Sequence, residues 1–312
     1  MLKSRLITFF IPSLLVFVLV CSALAEYIHP STLEVNVPHH QVEIPSFEAA
    51  TYVYKIKWQG ITVANAEIIT TRGEFKSNLE STVARVLNRV RIYVETNGAI
   101  DIFYKLRHYS ENIFTNETYL PSCYFSWQKE NSRERMRFIH FKPEGMVHTS
   151  VWKNEKLDLA MDFPKGKEML DPVTGAMFAR ALKFDTGEVK DFDIWSGKHR
   201  FIISFEIGEK EMLKTKFGEI EAYKVIPNIR RLTDTEPEKR LTSAALWISA
   251  DNSRRILRLE TKVWVGRVVA ELVEIRSPNN LLSGEDQQTI QEQLSEIIPK
   301  DQFPQELTTA CR

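Results

Sequence analysis

Apolar and polar residues alternate most regularly between Ala244 and Ile275. Three apolar sets recur at every second position: Ala244, Leu246 and Ile248; Leu257, Leu259, Val263 and Val265; and Val268, Ala270 and Leu272. Turn residues at Asp251–Ser253 and at Gly266 separate these sets. A period of two that is interrupted by turns predicts an antiparallel meander of three strands.

The same alternation recurs upstream, where Thr51–Trp58 and Ile61–Thr71 form a predicted hairpin around Gln59 and Gly60. Similar short segments follow along the chain, including Ala99–Ser110. We therefore predict a mainly β protein with one β-rich domain over residues 47–276. Its expected fold is a curved antiparallel sheet or incomplete barrel with two or three short helices.

Three segments have the features of helices. Asp171 is a suitable N-cap and Pro172 suits the first helical position. The spacing of apolar residues predicts a second short helix around Ser81 to Arg91. An amphipathic helix is predicted at Glu285–Ile298, within a C-terminal tail over residues 277–312. This last helix either docks on its own domain or binds an envelope protein partner.

The first 25 residues have the organisation of a secretory signal peptide. Lys3 and Arg5 precede an apolar run, and Ala23-Leu24-Ala25 is a small-x-small cleavage site, which predicts processing after Ala25. An uncleaved membrane anchor is the alternative. Lipidation at Cys21 is disfavoured because Val20 before it is bulky. Residues 26–46, with three prolines, are predicted to form an extended N-terminal arm.

Charge and cysteine content limit the partners and the compartment. The chain has 41 basic and 41 acidic residues, and loss of Lys3 and Arg5 with the signal peptide leaves 39 basic ones. Such a balance does not predict nucleic-acid binding, which requires a concentrated basic surface. Cys123 and Cys311 remain after processing, and in an oxidising compartment they could form a disulfide.

Four segments resemble the bacterial domain of unknown function 3108 family, over roughly Tyr52 to Ile275. They read YKIKWQGITVANAEI from Tyr54, TYLPSCYFSWQKEN from Thr118, DPVTGAMFARALKFDTGE from Asp171, and KTKFGEIEAYKVIPN followed by LWISADNSRRILRLETKVWVGRVVAEL up to Leu272. The resemblance implies an exported protein of a Gram-negative-type cell envelope, located in the periplasm and either free or at the outer membrane. It implies no established activity and no catalytic residues.

The residues themselves contain no recognisable catalytic or metal-binding motif. His39 and His40 are adjacent and would point to opposite sides of an extended segment. The acidic residues near Asp162 and Asp191 lack the spacing of a calcium loop and read as solvated loops. We therefore expect no metal, no cofactor and no enzymatic activity. A hydrolase of envelope glycans or lipids is the weakest alternative.

Aromatic residues lie mostly on predicted strands, where core packing explains most of them. A curved sheet can also enclose an apolar cavity. The predicted ligand contacts are Tyr54, Trp58, Trp247, Leu259 and Val263. The favoured function is therefore a non-enzymatic envelope protein that binds a hydrophobic or lipid-like ligand in the concave face of its sheet. The alternative is a structural or partner-binding periplasmic protein without a small ligand.

Overall fold

The computed structural model describes residues 27–44, 48–75, 85–233, 243–263 and 266–277. The predicted signal peptide and the predicted C-terminal amphipathic helix both lie outside the described residues.

Strands dominate the described part of the chain. They are β1 (Ala50–Trp58), β2 (Ile61–Phe75), β3 (Arg85–Thr96), β4 (Leu106–Thr115), β5 (Pro121–Glu130), β6 (Arg133–Phe141), β7 (Met146–Lys153), β8 (Lys156–Pro164), β9 (Met169–Leu170), β10 (Val189–Trp195), β11 (Arg200–Thr215), β12 (Gly218–Arg231), β13 (Ser243–Ser249), β14 (Ile256–Val263) and β15 (Gly266–Arg276). Two α-helices accompany them in these ranges, α1 (Gly98–Asp101) and α2 (Pro172–Ala181), together with a 3-10 turn at Pro30–Thr32.

All described strands belong to a single sheet in the order β8-β7-β6-β5-β4-β3-β2-β1-β15-β14-β13-β12-β11-β10-β9. The sheet consists of two meanders that meet where β1 pairs with β15. Every pairing is antiparallel except that of β9 with β10. The predicted closing meander is β13 to β15, and the predicted opening hairpin is β1 and β2. The mainly antiparallel β fold is therefore confirmed.

Side chains bring the two ends of the open sheet together. Trp195 on β10 is fully buried, and its indole Nε1 donates to Thr149 Oγ1 on β7 at 3.3 Å. Its ring centroid lies 4.9 Å from that of Phe163 on β8, in an edge-to-face arrangement. The sheet is thus an incomplete barrel that is closed by packing rather than by backbone pairing.

Helix α2 packs into the core of this curved sheet. It begins where the sequence predicts, because the Asp171 carboxylate accepts hydrogen bonds from the backbone N–H groups of Val173 and Thr174. Met177, Phe178 and Ala181 join the main apolar core. At Gly175 a Cβ atom would lie only 2.5 Å from Ile194 Cδ1, so glycine allows α2 to approach β10 closely.

Residues 27–44 run along the side of the molecule where β10 and α2 lie. His40 Nε2 is 3.0 Å from the Asp191 carbonyl oxygen, and Val42 forms an isolated bridge with Leu182. Arg200 Nη1 donates to the carbonyl oxygens of Pro30 and Leu33 at 3.1 and 2.9 Å. These contacts attach the segment to the sheet.

The predicted helix around Ser81 to Arg91 is wrong in the part that the structure describes. Residues from Arg85 onward form β3, which pairs with both β2 and β4. Apolar residues four positions apart lie on one face of a helix, but also on one face of a strand. Here Val90, Ile92 and Val94 are buried on one face, and their β-branched side chains favour the strand.

The predicted strand from Ala99 to Ser110 is wrong in its first half. Asn97 caps α1 by accepting a hydrogen bond from the Ile100 N–H, and β4 begins only at Leu106. The short polar side chain after β3 favours a helical turn over continuation of the strand.

Candidate functional site

Three of the five predicted ligand residues share the concave face of the sheet. Leu259 is paired with Ala270 and Ala270 with Ile56, so alternation also places Tyr54 and Trp58 on this face. Tyr54 is nevertheless buried, and its hydroxyl donates to the Ile256 carbonyl oxygen at 3.0 Å. Trp58 and Leu259 are half-buried at the edge of the core.

Of the other two predicted residues, only Trp247 has a described side chain. Alternation places Trp247, with its register partners Lys224 and Arg258, on the face opposite to Leu259, and both cations lie within 6 Å of its ring centroid. Its buried side chain nevertheless joins the main apolar core. Its Nε1 donates to Glu211. Val263 is the last residue of β14, and its side chain lies outside the described residues. The five residues therefore do not form one described site.

A different group of side chains occupies the concave face of β4, β5 and β6. Ser110 faces Ser126 across the first strand pair, and Ser126 faces Arg137 across the second. In the next row His108 faces Gln128. These residues and Glu130 are all buried; we call the six the concave polar cluster, which comprises His108, Ser110, Ser126, Gln128, Glu130 and Arg137.

The concave face is apolar immediately beside this cluster. Val94 on β3 is the register partner of His108, and Ile92 is the partner of Ser110. Ile92 in turn faces Ile68, and Val94 faces Ala66, both on β2. Since adjacent strands lie about 4.8 Å apart, the lining changes from apolar to polar over the distance between two strands.

Arg137 is the residue of the cluster that is hardest to explain by packing. It is only 6% exposed, and its Nε has no hydrogen-bond partner. In the described part of the chain its guanidinium forms no ion pair or hydrogen bond. Burial lowers its pKa, against a smaller opposing effect of Tyr124. A buried charge without a partner is costly, so such a residue in a native protein requires an explanation.

His108 lies in the field of Arg137. Its Nδ1 has no hydrogen-bond partner in the described structure. Burial, and secondarily the charge of Arg137, lowers the pKa of His108 to about 3. The imidazole is therefore neutral at physiological pH, with one N–H donor and one acceptor nitrogen. The Tyr104 hydroxyl, two residues before β4, is also buried without a partner in the described structure, and it lies in the field of Glu130.

The carboxylates near the cluster are engaged by other groups. Glu130 accepts a hydrogen bond from Gln128, and burial raises the pKa of Glu130 despite the nearby Arg135. Asp171 caps α2 and also accepts from Asn112 Nδ2 at 2.8 Å. Burial raises the pKa of Asp171, while these hydrogen bonds oppose the rise. Neither carboxylate forms an ion pair with Arg137 in the part of the chain described.

The remaining acids and histidines are dispersed. Asp158 contacts Lys153 at 2.9 Å, while Asp162 lies 3.1 Å from both Lys142 and His148. Within the described ranges no group of three or more His, Cys, Asp or Glu residues could hold a metal ion. No helix in those ranges has the length and apolar character needed to cross a bilayer.

A cleft lies elsewhere, between α2 and the strands β2 to β4. It is lined by Thr70, Asn88, Val90, Phe114 and Met177 among others, and its volume of about 10 Å³ admits at most a single water molecule. This cleft is therefore far smaller than a typical ligand site.

A comparison with models of protein families tests the family resemblance of the four sequence segments. The family model described as protein of unknown function DUF3108 matches residues 53–273. The chain belongs to the DUF3108 family. The match covers β1 to β15 almost completely and confirms the resemblance.

Solved structures similar to this DUF3108 chain have low sequence identity. A β-barrel-like protein of domain of unknown function DUF1849 from Brucella abortus has 8% identity and a TM-score of 0.46, covering 74% of this chain and 98% of that one. A Bacteroides fragilis protein with a YmcC-like fold, named as exported, has 12% identity and a TM-score of 0.32, covering 76% and 100%.

A Parabacteroides distasonis protein named as a lipoprotein is similar to the same extent, with 12% identity and a TM-score of 0.32 over 77% of this chain and all of that one. No curated protein matches the DUF3108 chain.

Sequence reasoning missed the concave polar cluster because β4 of this DUF3108 chain reverses the usual pattern. In LRHYSENIFT the polar His108, Ser110 and Asn112 face the concave side, whereas Tyr109 and Ile113 lie on the convex side. Alternation alone therefore points the polar residues toward solvent. The available signal is an arginine, Arg137, between apolar neighbours on a strand.

Cys123 lies on the convex face of the DUF3108 sheet, where apolar side chains continue across strands. It packs with Ile113 and Phe138, and a second group contains Tyr109, Phe125 and Trp127. Cys123 is buried and disulfide-bonded. Its partner lies outside the described residues, so the pairing with Cys311 stays a prediction.

We expect the Cys311→Ser variant to lose about 2–4 kcal/mol of unfolding free energy, because the predicted disulfide would close a long loop. Urea unfolding of both proteins without reductant measures the loss. Reduced wild type should behave like the variant. Peptide mapping that finds an alkylated, free Cys311 in the native wild type would contradict the pairing.

Proposed function

We propose that this protein is an exported, non-enzymatic envelope protein that binds an amphipathic, lipid-like ligand at the concave face of its sheet. The observation that carries the proposal is the change in the lining of that face from apolar to polar. Val94 and Ile92 continue directly into His108 and Ser110 across one strand pair. A ligand with an apolar chain and a polar head matches this arrangement.

Two further observations support the proposal. Acids that the sequence offers as catalytic candidates are engaged elsewhere, as Asp162 is with Lys142 and Asp171 with Thr174. Catalysis by two acids would require them to converge in one cleft. Export is supported by the signal-peptide pattern that ends at Ala25.

Mass spectrometry of protein purified from its native envelope tests the proposal. We expect an amphipathic molecule to stay bound under native conditions and to be released by organic solvent. Ser126→Leu places an apolar side chain inside the concave polar cluster and should reduce the amount of bound molecule several-fold. Lys129→Leu changes an exposed side chain on the same strand and should retain it.

Native wild-type protein that carries no such molecule would contradict the proposal. If that same protein is crosslinked to an envelope protein, the result would support the partner-binding alternative. If Ser126→Leu and Lys129→Leu lose the bound molecule to the same extent, the ligand does not contact the concave polar cluster. That result would also contradict the proposed site.

A further inference from the structure

We propose that Arg137 binds an oxyanion, a carboxylate or a phosphate, at the head of the ligand in the concave face. This inference rests on the proposed function and specifies the chemistry of the ligand. It starts from a buried guanidinium that is 6% exposed and has no hydrogen bond or ion pair within the described part of the chain.

A guanidinium presents its N–H donors in a planar fork that fits two oxygens of one carboxylate or phosphate. The neighbours of Arg137 across β5 and β7 cannot supply such a group. They are Ser126, a hydroxyl, and Val151, an apolar side chain. The protein therefore provides the cation of an ion pair without providing the anion beside it.

The nearest acid does not compensate the charge. Burial lowers the pKa of Arg137 and Glu130 opposes this only weakly, while Glu130 accepts its hydrogen bond from Gln128. Burial raises the pKa of Glu130, so this carboxyl is less readily charged than an exposed one. An external oxyanion can thus interact with Arg137 without displacing an existing protein ion pair.

The position of the Arg137 side chain is set by the loop between β10 and β11. Gly197 in that loop has a φ of +90°, and a Cβ atom there would lie 3.4 Å from Arg137 Cδ. The backbone of the loop therefore packs against the aliphatic part of the arginine. Holding the stem in this way reduces the rotamer entropy that the guanidinium loses when it binds an anion.

Neutral donors lie close to the same place. His108, kept uncharged by burial, has one ring N–H to donate, and its Nδ1 has no partner in the described structure. Ser126 and Ser110 add hydroxyl groups in the row of Arg137. Arg137 is the buried cation among these donors, and Arg135 lies in the next row of the same face as the register partner of Gln128.

Titration calorimetry with the mature, oxidised full chain tests this inference. The probes are oleate, oleyl alcohol and inorganic phosphate. We expect wild type to bind oleate at least about 10-fold more tightly than oleyl alcohol, since a charged hydrogen bond contributes about 1.5–3 kcal/mol. Arg137→Gln should remove this preference, and Arg137→Lys should retain part of it.

The matched control is Arg133→Gln, the same substitution on the same strand at an exposed position. Arg133 is the register partner of Glu130, at the exposed end of β6 and about 13 Å along the strand from Arg137. Its replacement should leave the oleate affinity within about twofold of wild type, as expected for an exposed charge at that distance. If phosphate binds in a way that depends on Arg137 and oleate does not bind, the result would support an oxyanion site at Arg137. The ligand would then be a free anion and not the head group of a lipid.

Equal binding of oleate and oleyl alcohol that Arg137→Gln does not change would overturn the inference while leaving the proposed apolar site intact. Failure of every probe to bind would count against both. Thermal unfolding separates a structural role. Ligand-free Arg137→Gln should melt at or above the wild-type midpoint because it removes an unpaired buried charge. A lower midpoint would show that Arg137 is required for the fold and would overturn the inference.

Discussion

Acid is expected to destabilise this protein through His108, by about 2 kcal/mol between pH 7 and pH 5. The pKa of this histidine is lowered to about 3 in the folded state, by burial and by Arg137. In the unfolded chain the pKa is about 6.5. Because the folded pKa is the lower one, the contribution to stability is complete above about pH 6.5 and decreases as pH falls toward 3.

Urea unfolding of ligand-free protein at several pH values measures this effect. His108→Gln should show a smaller decrease in unfolding free energy between pH 7 and pH 5 than wild type. The effect of His108 is the decrease in unfolding free energy of wild type minus that of His108→Gln. The subtraction is needed because Glu130 and Asp171 change the stability in the opposite direction over the same pH range. Burial raises their pKa values, so their contribution decreases as pH rises.

His39→Gln is the control for this experiment. His39 is exposed and lies 3.2 Å from Glu168 at the surface. Its replacement makes the same substitution at an exposed position and is measured in parallel. Identical pH dependence in His108→Gln and wild type would mean that His108 titrates normally in the folded protein, contrary to its buried position.

Asp193→Asn is expected to cost about 3–5 kcal/mol of unfolding free energy. Asp193 and Arg200 form a buried, two-point ion pair with distances of 2.8 and 2.6 Å. Removing the carboxylate charge leaves the Arg200 guanidinium buried without a counter-ion. The same guanidinium donates to Pro30 and Leu33, so the N-terminal segment should also become more sensitive to protease.

Chemical denaturation and limited proteolysis check this prediction. The control is Asp185→Asn, which makes the same substitution in an exposed pair with Lys183 and should leave the midpoint unchanged. A loss below about 1 kcal/mol in Asp193→Asn would show that the buried pair contributes little. An unaltered cleavage pattern would show that the segment is held by its other contacts.

Much of the fold could be predicted from the sequence because most strands carry their own signal. The meander β13 to β15 has alternation and turn residues together, and α2 has a cap, Asp171, followed by a proline. β3 was assigned wrongly in part, since the spacing of Val86, Val90 and Val94 fits a helix as well as a strand. Pairing with β2 and β4 decides between them.

The candidate site could not be predicted to the same extent. Alternation places Tyr54, Trp58 and Leu259 on one face of the sheet, but nothing local indicates that Trp247 takes the opposite one. Contact of these residues with a ligand stays a prediction. The concave polar cluster depends on which face of β4 turns inward. That choice is made by pairing and curvature over the whole sheet, as the row of Ser110, Ser126 and Arg137 shows.

The pairing of β1 with β15 has a consequence for how the chain order relates to the sheet. If the chain ends were joined there and the backbone cut between β8 and β9, the permuted chain would run from β9 to β15 and on from β1 to β8. Every neighbouring pair of strands would then be consecutive.

From β10 to β8, the described chain is therefore a circular permutation of an antiparallel meander, with β9 added in parallel at the edge. Among the described strands, the one pairing between segments distant in sequence lies in the middle of the sheet, where Thr51 is the register partner of Arg276. The pairing of β1 with β15 can form only after β15 has been synthesised. Because it joins the segments that are farthest apart in sequence, it also has the largest loop-closure cost in conformational entropy.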